Sequence, residues 1–374
     1  MGGIETFTQS MARTLVSLGH HVLVVTNDTE YLDVGLSFEE DVEVMRLPCH
    51  SLISGRLPLP LRNAKRRELL SNLASRRFDG VLVNARFYPH SLLGMKVART
   101  QGICPIVLDH GSDWLSFSNP VLDPIVHLYE RILTAYGRFR YAPCYYGISK
   151  KSSEWLRTFG IKSCGEITNS IDAADFRELA SARDFKFELN LPENAFTVAF
   201  IGRFIPEKGI SSIIIASRSE RLRDRGVVFL LAGDGPLASE VKAAQSPCFK
   251  WLGRLNQSDV SALLQYADAL CLPTRSEGFS TTLLEASACG CPSVVTEVGG
   301  ARELIPNELY GTVVASMDSE EIVKAIAWLA DNREAARAQG EMSRNRVERI
   351  CSWQVSAQTL IHAFSVSSGI KYKN

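Results

Sequence analysis

The stretch Phe196-Thr-Val-Ala-Phe-Ile201, followed at once by Gly202-Arg203-Phe-Ile-Pro-Glu-Lys208-Gly209, decides the reading of this chain. An unbroken apolar run that ends at a glycine reads as a strand covered on both faces, as in parallel sheets. In an open α/β sheet, ligands sit beyond the carboxyl ends of the strands. The two cations of the following loop, Arg203 and Lys208, are therefore candidates to clamp a diphosphate. The loop lacks the Gly-x4-Gly-Lys-Ser/Thr order of a Walker A sequence. Taken alone, it reads equally well as a charged surface turn.

The same pattern recurs outward in both directions. Apolar runs at His21–Val25, Gly80–Asn84, Pro105–Asp109, Val227–Ala232, Asp268–Pro273 and Ser293–Thr296 alternate with helical stretches. Thr6–Leu18 sets Met11, Leu15 and Leu18 on one helix face and stops at Gly19; Ser258–Tyr266 starts at a capping serine. Strand–helix alternation implies parallel sheets built from right-handed βαβ units. The polar stretch 181–194 interrupts the alternation, and a fresh strand follows it. The expected fold is α/β, with two tandem doubly wound, Rossmann-like domains and a cleft between them. The domains are expected at 1–188 and 189–351, with a final helical stretch, 352–374, packing back on the first. A strand normally opens such a domain, yet this chain opens on Met-Gly-Gly-Ile-Glu-Thr-Phe, a turn into a helix. Two readings stay open: the chain is truncated before its first strand, or the domain lacks that strand.

Composition excludes several classes. The 374 residues carry 41 basic and 41 acidic side chains. A net charge of zero disfavours a nucleic-acid binder, which needs a basic surplus. High apolar content disfavours disorder. No apolar run is long enough to span a bilayer, and no signal-peptide pattern opens the chain. Nine scattered cysteines, with Cys289 and Cys291 too close together for a zinc half-site, read as reduced thiols. A cytoplasmic protein is expected.

Two more loops follow strands of the second half. Ala232-Gly-Asp-Gly-Pro236 offers close backbone approach to a planar or anionic group, though alone it is a plain β–α turn. Arg275-Ser-Glu277-Gly-Phe-Ser-Thr-Thr-Leu-Leu-Glu285-Ala starts a helix at Thr281 or Thr282. The free amides and dipole of its first turn favour an anion. Glu277 and Glu285 would flank that anion and accept hydrogen bonds from hydroxyls on either side. Hydroxyls, a diphosphate and hydroxyls again describe a nucleotide sugar. The Gly-rich turn Val298-Gly-Gly-Ala-Arg-Glu303 would border the same site.

The ordered set resembles the retaining GT-B glycosyltransferases of family 4. It comprises Gly2-Gly3-Ile-Glu5, His110-Gly111, Gly147-Ile-Ser149, Thr168-Asn169-Ser-Ile-Asp172, Gly202-Arg203 with Lys208-Gly209, Gly233-Asp-Gly235-Pro, and Glu277 with Glu285. The resemblance implies a retaining transfer that needs no metal and no cofactor. Arg203 and Lys208 would neutralise the departing diphosphate. Glu277 would contact the transferred sugar, helped by the backbone of Gly278, Phe279, Ser280 and Thr281. Glu285 would hold the ribose hydroxyls. Gly235, Arg254 and Leu255 would border the base. Gly202 would lie at the phosphates, and Gly3 would approach them from the first domain. His110 would sit near the transferred sugar and the acceptor; a histidine merely satisfied at a strand end is the alternative. Phe279-Ser280 stands where the family often has a second glycine.

The implied reaction moves a sugar from a UDP- or GDP-linked donor to a hydroxyl of a glycan or lipid-linked acceptor in polysaccharide or glycolipid synthesis. Noncatalytic nucleotide-sugar binding, a hinged sugar-binding protein, and a phosphorylase or epimerase on the same architecture are the rivals. Residues 46–77 hold eight basic side chains (Arg46, Arg56, Arg62, Lys65, Arg66, Arg67, Arg76, Arg77) and one acid, Glu68. With Leu52, Ile53, Leu57, Leu59 and Leu61 interleaved, this segment is a candidate anchor on the anionic inner face of a membrane. A solvated helix face with a Pro-rich loop is the alternative. Arg131–Lys162 is a second basic stretch.

Overall fold

The computed structural model describes residues 3–52, 57–115 and 119–368, and the chain divides into two compact units. The first holds residues up to Thr168 together with Trp353 onward, and the second is Asn169–Ser352. The boundary thus falls about twenty residues before the expected one. The polar stretch that reads as a linker is anchored in the second unit. Phe176 and Phe185 are buried there, Ser261 Oγ donates to the Phe176 carbonyl (2.6 Å), and the Ser181 amide donates to the Ser258 carbonyl (3.0 Å).

The second unit is a six-stranded, all-parallel sheet. Its strands are β9 (Phe196–Ile201), β10 (Val227–Ala232), β11 (Phe249–Trp251), β12 (Ala269–Leu272), β13 (Ser293–Thr296) and β14 (Thr312–Val314), in the order β11-β10-β9-β12-β13-β14. By position within the unit that is 3-2-1-4-5-6, the doubly wound order whose ligand crevice opens where the direction of winding reverses. The reversal lies between β9 and β12. Their carboxyl ends carry the Gly202–Gly209 loop and the Arg275–Ser280 loop. The long apolar runs are legible because both faces of these strands are covered. The short strands β11 and β14 escape the sequence reading for want of a run. The helix Gln257–Tyr266 begins two residues earlier than expected, because Asn256, not Ser258, caps it by accepting from the Asp259 amide (2.8 Å).

In the first unit the strands are β1 (Leu23–Asn27), β2 (Gly35–Glu39), β3 (Val42–Leu47), β4 (Cys49–Leu52), β5 (Leu57–Pro60), β6 (Leu82–Asn84), β7 (Ile106–Asp109) and β8 (Cys144–Gly147). Its longer helices are α1 (Gly3–Ser17), α2 (Ala64–Ser75), α3 (Pro89–Thr100) and α4 (Leu122–Tyr141). The described strands form two three-stranded sheets, β1-β3-β2 and β6-β7-β8, plus the β4–β5 hairpin. β1 and β6 are each a sheet edge. β2 runs antiparallel to β3 through a tight turn with positive φ at Glu40 (50°) and Asp41 (66°). Acidic residues stand there in place of the usual Asn-Gly, so the hairpin was not legible. Separate cores fill the two halves: Met45, Leu47, Leu69 and Leu73 around β3, and Val83, Met95, Val107, Tyr145 and Leu156 around β7.

The last helix, Trp353–Ser368, belongs to the first unit. Trp353 meets Phe7 of α1 edge-on at 5.5 Å, and Ser356 Oγ donates to the Thr168 carbonyl (2.8 Å). Gly80 lets the Phe364 ring lie against the backbone; a Cβ there would come within 2.7 Å of it.

Candidate functional site

The glycines of the second unit let its loops pack on one another. A Cβ on Gly233 would stand 1.9 Å from the Gly202 carbonyl oxygen, and one on Gly209 would stand 2.3 Å from that of Pro273. The backbone of Gly235 lies directly against Phe204: a Cβ there would stand 2.7 Å from the Phe204 carbonyl oxygen. Hydrogen bonds complete the joint: Phe204 N to Asp234 O (2.8 Å) and Gly202 N to Ala232 O (3.0 Å). A Cβ on Gly202 would meet nothing closer than the Phe200 ring, at 3.6 Å. Next to these, Gly233 N donates to Gly253 O (2.7 Å), and Arg254 reaches Asp234 (3.1 Å) while its side chain stays 80% exposed. The Arg254-Leu255 strip is thereby held beside the 233–235 loop.

The β9 and β12 loops are laced together at the switch point. Arg275 N and Thr274 Oγ1 both donate to the Glu207 carbonyl (2.8 and 3.1 Å), and Lys208 forms an ion pair with Glu277. Both members of that pair are largely buried, at 19% exposure each. Arg203 is exposed and has no ion-pair partner among the described residues. The Gly299-Gly300 turn lies beneath the same loop: a Cβ on Gly299 would stand 2.7 Å from the Glu277 carbonyl oxygen, and one on Gly300 2.4 Å from the Phe279 ring. The motif at 298–303 therefore supports the β12 loop from below. Asn169 adds a contact to the Phe279 carbonyl at 3.5 Å.

Ser280 caps the helix Thr281–Cys289 by accepting from the Leu283 amide (3.3 Å). The five preceding amides, from Gly278 to Thr282, have no acceptor among the described residues. They surround the start of a helix, where the backbone dipole adds partial positive charge. An anion of several oxygens fits such a row. Glu285, one helix turn further on, is half-buried with no hydrogen-bond donor among the described residues, and burial lifts its pKa to about 7. A carboxyl so placed has a lone-pair face available to ligand hydroxyls.

In the first unit, His110 follows β7, and its surroundings fix its chemistry. Thr8 Oγ1 donates to the Ile4 carbonyl (2.7 Å), so it accepts from Asn84 Nδ2 (2.9 Å). That orients the amide so that Asn84 Oδ1 accepts from His110 Nε2 (2.9 Å). Nε2 therefore carries the proton, and Nδ1 presents a lone pair. Burial holds the His110 pKa down, to about 3, with Phe7 edge-on at 5.1 Å. The ring is a neutral acceptor.

Behind it lies a group the sequence did not announce. Ala85 takes a left-handed turn (φ 66°) that sends Arg86 inward, to both oxygens of Asp109 (2.6 Å) and to Glu130 (3.0 Å), all three buried. Burial pushes both carboxyls up and Arg86 pulls them back. The Gly147-Ile-Ser149 motif serves the same loop. Ile148 N donates to Asp109 O (2.9 Å), Ser149 caps the helix Lys150–Trp155, and Ser152 Oγ donates to Gly111 O (2.7 Å). Charged residues of separate elements become one cluster only through the fold, so no local pattern marks them.

Gly3 begins α1 with open space at its Cα, and Gly2 lies outside the described residues. Four of the eight cations at 46–77 are committed within the fold. Arg46 pairs with Glu39, Lys65 with Glu68 (2.9 Å) and Arg76 with Glu43 (2.5 Å), while Arg66 is buried on the Pro48 carbonyl (3.2 Å). The segment's basic surface is smaller than its charge count implied, and Ile53 and Arg56 lie outside the described residues.

Comparison with known proteins agrees with this arrangement. Residues 1–175 match the family model described as Glycosyltransferase Family 4, and 181–346 match Glycosyl transferases group 1. Glycogen synthase of Mycobacterium tuberculosis is 28% identical over 204 residues, 53% of this chain and 47% of that protein. The GDP-mannose-dependent alpha-(1-6)-phosphatidylinositol monomannoside mannosyltransferase of the same organism is 28% identical over 203 residues, 51% of this chain and 52% of that one. These matches span about half the length of each relative. Among solved structures, Anabaena Alr3699/HepE in complex with UDP-glucose superposes with a TM-score of 0.70 at 18% identity, covering 98% of this chain and 96% of that one. With its two halves matched in order by these models and its two α/β units shared along nearly the whole length, the chain belongs to the glycosyltransferases of GT-B fold.

Proposed function

We propose that the chain moves a sugar from a UDP- or GDP-linked donor to a hydroxyl of a glycan or lipid-linked acceptor, with retained anomeric configuration, in polysaccharide or glycolipid synthesis. The observation that carries this reading is the row of acceptor-free amides from Gly278 to Thr282 at the switch point, beside Lys208 and Arg203. The names of the relatives fit it: one is a glycogen synthase, one takes GDP-mannose to a phosphatidylinositol mannoside, and one structure holds UDP-glucose.

In this mechanism the amides and Lys208 receive the diphosphate, and Arg203 closes on it as negative charge develops on the leaving oxygen. Lys208 shares its charge between Glu277 and the donor, which fixes Glu277 toward the sugar. Glu285 takes the ribose hydroxyls. The acceptor hydroxyl oxygen bonds to the anomeric carbon on the face where the sugar–phosphate bond breaks, and its proton passes to the departing phosphate oxygen, so configuration is kept. Neutral His110 accepts a hydrogen bond from a sugar or acceptor hydroxyl through Nδ1. Cations and amides supply the positive charge that a metal supplies elsewhere, so no metal is needed.

Arg203→Ala tests the clamp. It is expected to lower kcat/KM by about 100-fold or more. Because the side chain is exposed, stability should stay within about 0.5 kcal/mol of the parent. Labelled-donor turnover and urea unfolding give the two readings; unchanged kcat/KM removes the clamp from the mechanism. A thermal-shift series with UDP-, GDP- and ADP-sugars names the base, since a ligand bound only by the folded protein raises its melting temperature.

A further inference from the structure

Helix α4 carries an apolar face that no described residue covers. Its inner side is packed: Glu130, Thr134, Gly137 and Tyr141 are buried, with Gly137 set against Leu92 and Met95. On the outer side, starting at the preceding residue, stand Val121 (73% exposed), Ile125 (60%), Leu128 (58%), Ile132 (57%), Tyr136 (51%) and Phe139 (82%). Steps of three and four residues keep all six on one face over a helix of 20 residues, about 30 Å long. Monomeric soluble proteins rarely expose so continuous an apolar strip, and those that do usually bind something with it.

The charges on this face select the occupant. Its exposed charged residues are Arg131 and Arg140, both cations; Glu130 is buried and Asp123 is half-buried. In a chain with equal numbers of acids and bases, this strip carries cations and no exposed acid. A second copy packed on the strip would bring like charges together, whereas anionic headgroups pair with them. Two aromatic side chains, Tyr136 and Phe139, sit at the same end, where rings favour the water–lipid boundary. No described helix is long and apolar enough to cross a membrane, so the strip would lie on the surface.

We propose that the outer face of α4, with Ile125, Leu128, Ile132, Tyr136 and Phe139 inserted and Arg131 and Arg140 at headgroup level, is a docking surface for an anionic bilayer. It does not depend on a membrane role for residues 46–77, and it stands independently of the sugar-transfer reading.

Vesicle flotation of the full chain tests it, with phosphatidylglycerol–phosphatidylcholine vesicles against phosphatidylcholine alone. The chain should float with the anionic vesicles and lose binding as salt rises. Ile132→Glu and Phe139→Glu should each cut the bound fraction about tenfold or more. Arg131→Gln and Arg140→Gln should each weaken binding about fivefold. Circular dichroism verifies that each variant folds, and donor thermal shifts, read separately, should be unchanged in all four. No flotation of the parent chain overturns the proposal, as does full flotation of Ile132→Glu and Phe139→Glu. A concentration-dependent dimer in sedimentation that Ile132→Glu abolishes, without lipid binding, assigns the strip to a second copy and overturns it as well.

Discussion

Glu285 shows how one side chain can be costly to the fold. Its carboxyl is half-buried with no donor among the described residues, and burial raises its pKa from 4.5 to about 7. The folded protein therefore holds a proton that the unfolded chain releases, and stability falls as pH rises from about 4.5 toward 7. Glu285→Gln should match the parent near pH 4.5 and exceed it by about 1–3 kcal/mol at pH 8, since one pKa unit is worth about 1.4 kcal/mol and partial exposure discounts the total. Donor binding should move the opposite way, weakened by loss of a strong acceptor. Urea unfolding at the two pH values, beside donor titration, checks both signs. A pH-independent stability difference would mean that burial does not hold the proton. His110 illustrates a different constraint. Its tautomer follows from a hydroxyl and an amide on two other elements, Thr8 on α1 and Asn84 on β6, so the residue was visible in the sequence but its protonation was not.

Among elements, the loops beyond β9, β10 and β12 act as one block because glycines remove the side chains between them. The sequence reading offered the backbone of Ala232–Pro236 to a ligand; the structure also sets Gly233 against the Gly202 carbonyl and Gly209 against that of Pro273. The difference can be measured. Gly233→Ala drives a Cβ into the Gly202 carbonyl and strains a φ of 147°, and should cost about 2–4 kcal/mol while lowering donor affinity. Gly253→Ala has a positive φ of 71° but open space around it, and should cost only about 1 kcal/mol. Denaturant unfolding of the two variants separates close approach from backbone strain; equal costs would remove the loop-packing account.

For the molecule as a whole, two units with separate cores should unfold as two transitions. Leu360, 1% exposed in the last helix, belongs to the first unit, although the stretch just before that helix, Asn169–Ser352, builds the second. Leu360→Ala should lower the first unit's transition by about 2–5 kcal/mol. The transition that a nucleotide sugar raises should stay in place. Calorimetry with and without donor distinguishes them, and a shift of the donor-protected transition would show that the helix serves the other unit. By itself the sequence determined the α/β class, the long buried strands and the loops that follow β9, β10 and β12, because those depend on local runs and on which residues follow a strand. It located Arg203, Lys208, Glu277 and Glu285 for the same reason. The strand order that puts the β9 and β12 loops side by side, the buried Arg86–Asp109–Glu130 cluster, the capture of residues 169–188 by the second unit, and the uncovered face of α4 were decided only by tertiary structure. Each depends on which distant surfaces meet, and a periodic apolar pattern says that a face is apolar without saying what, if anything, will cover it.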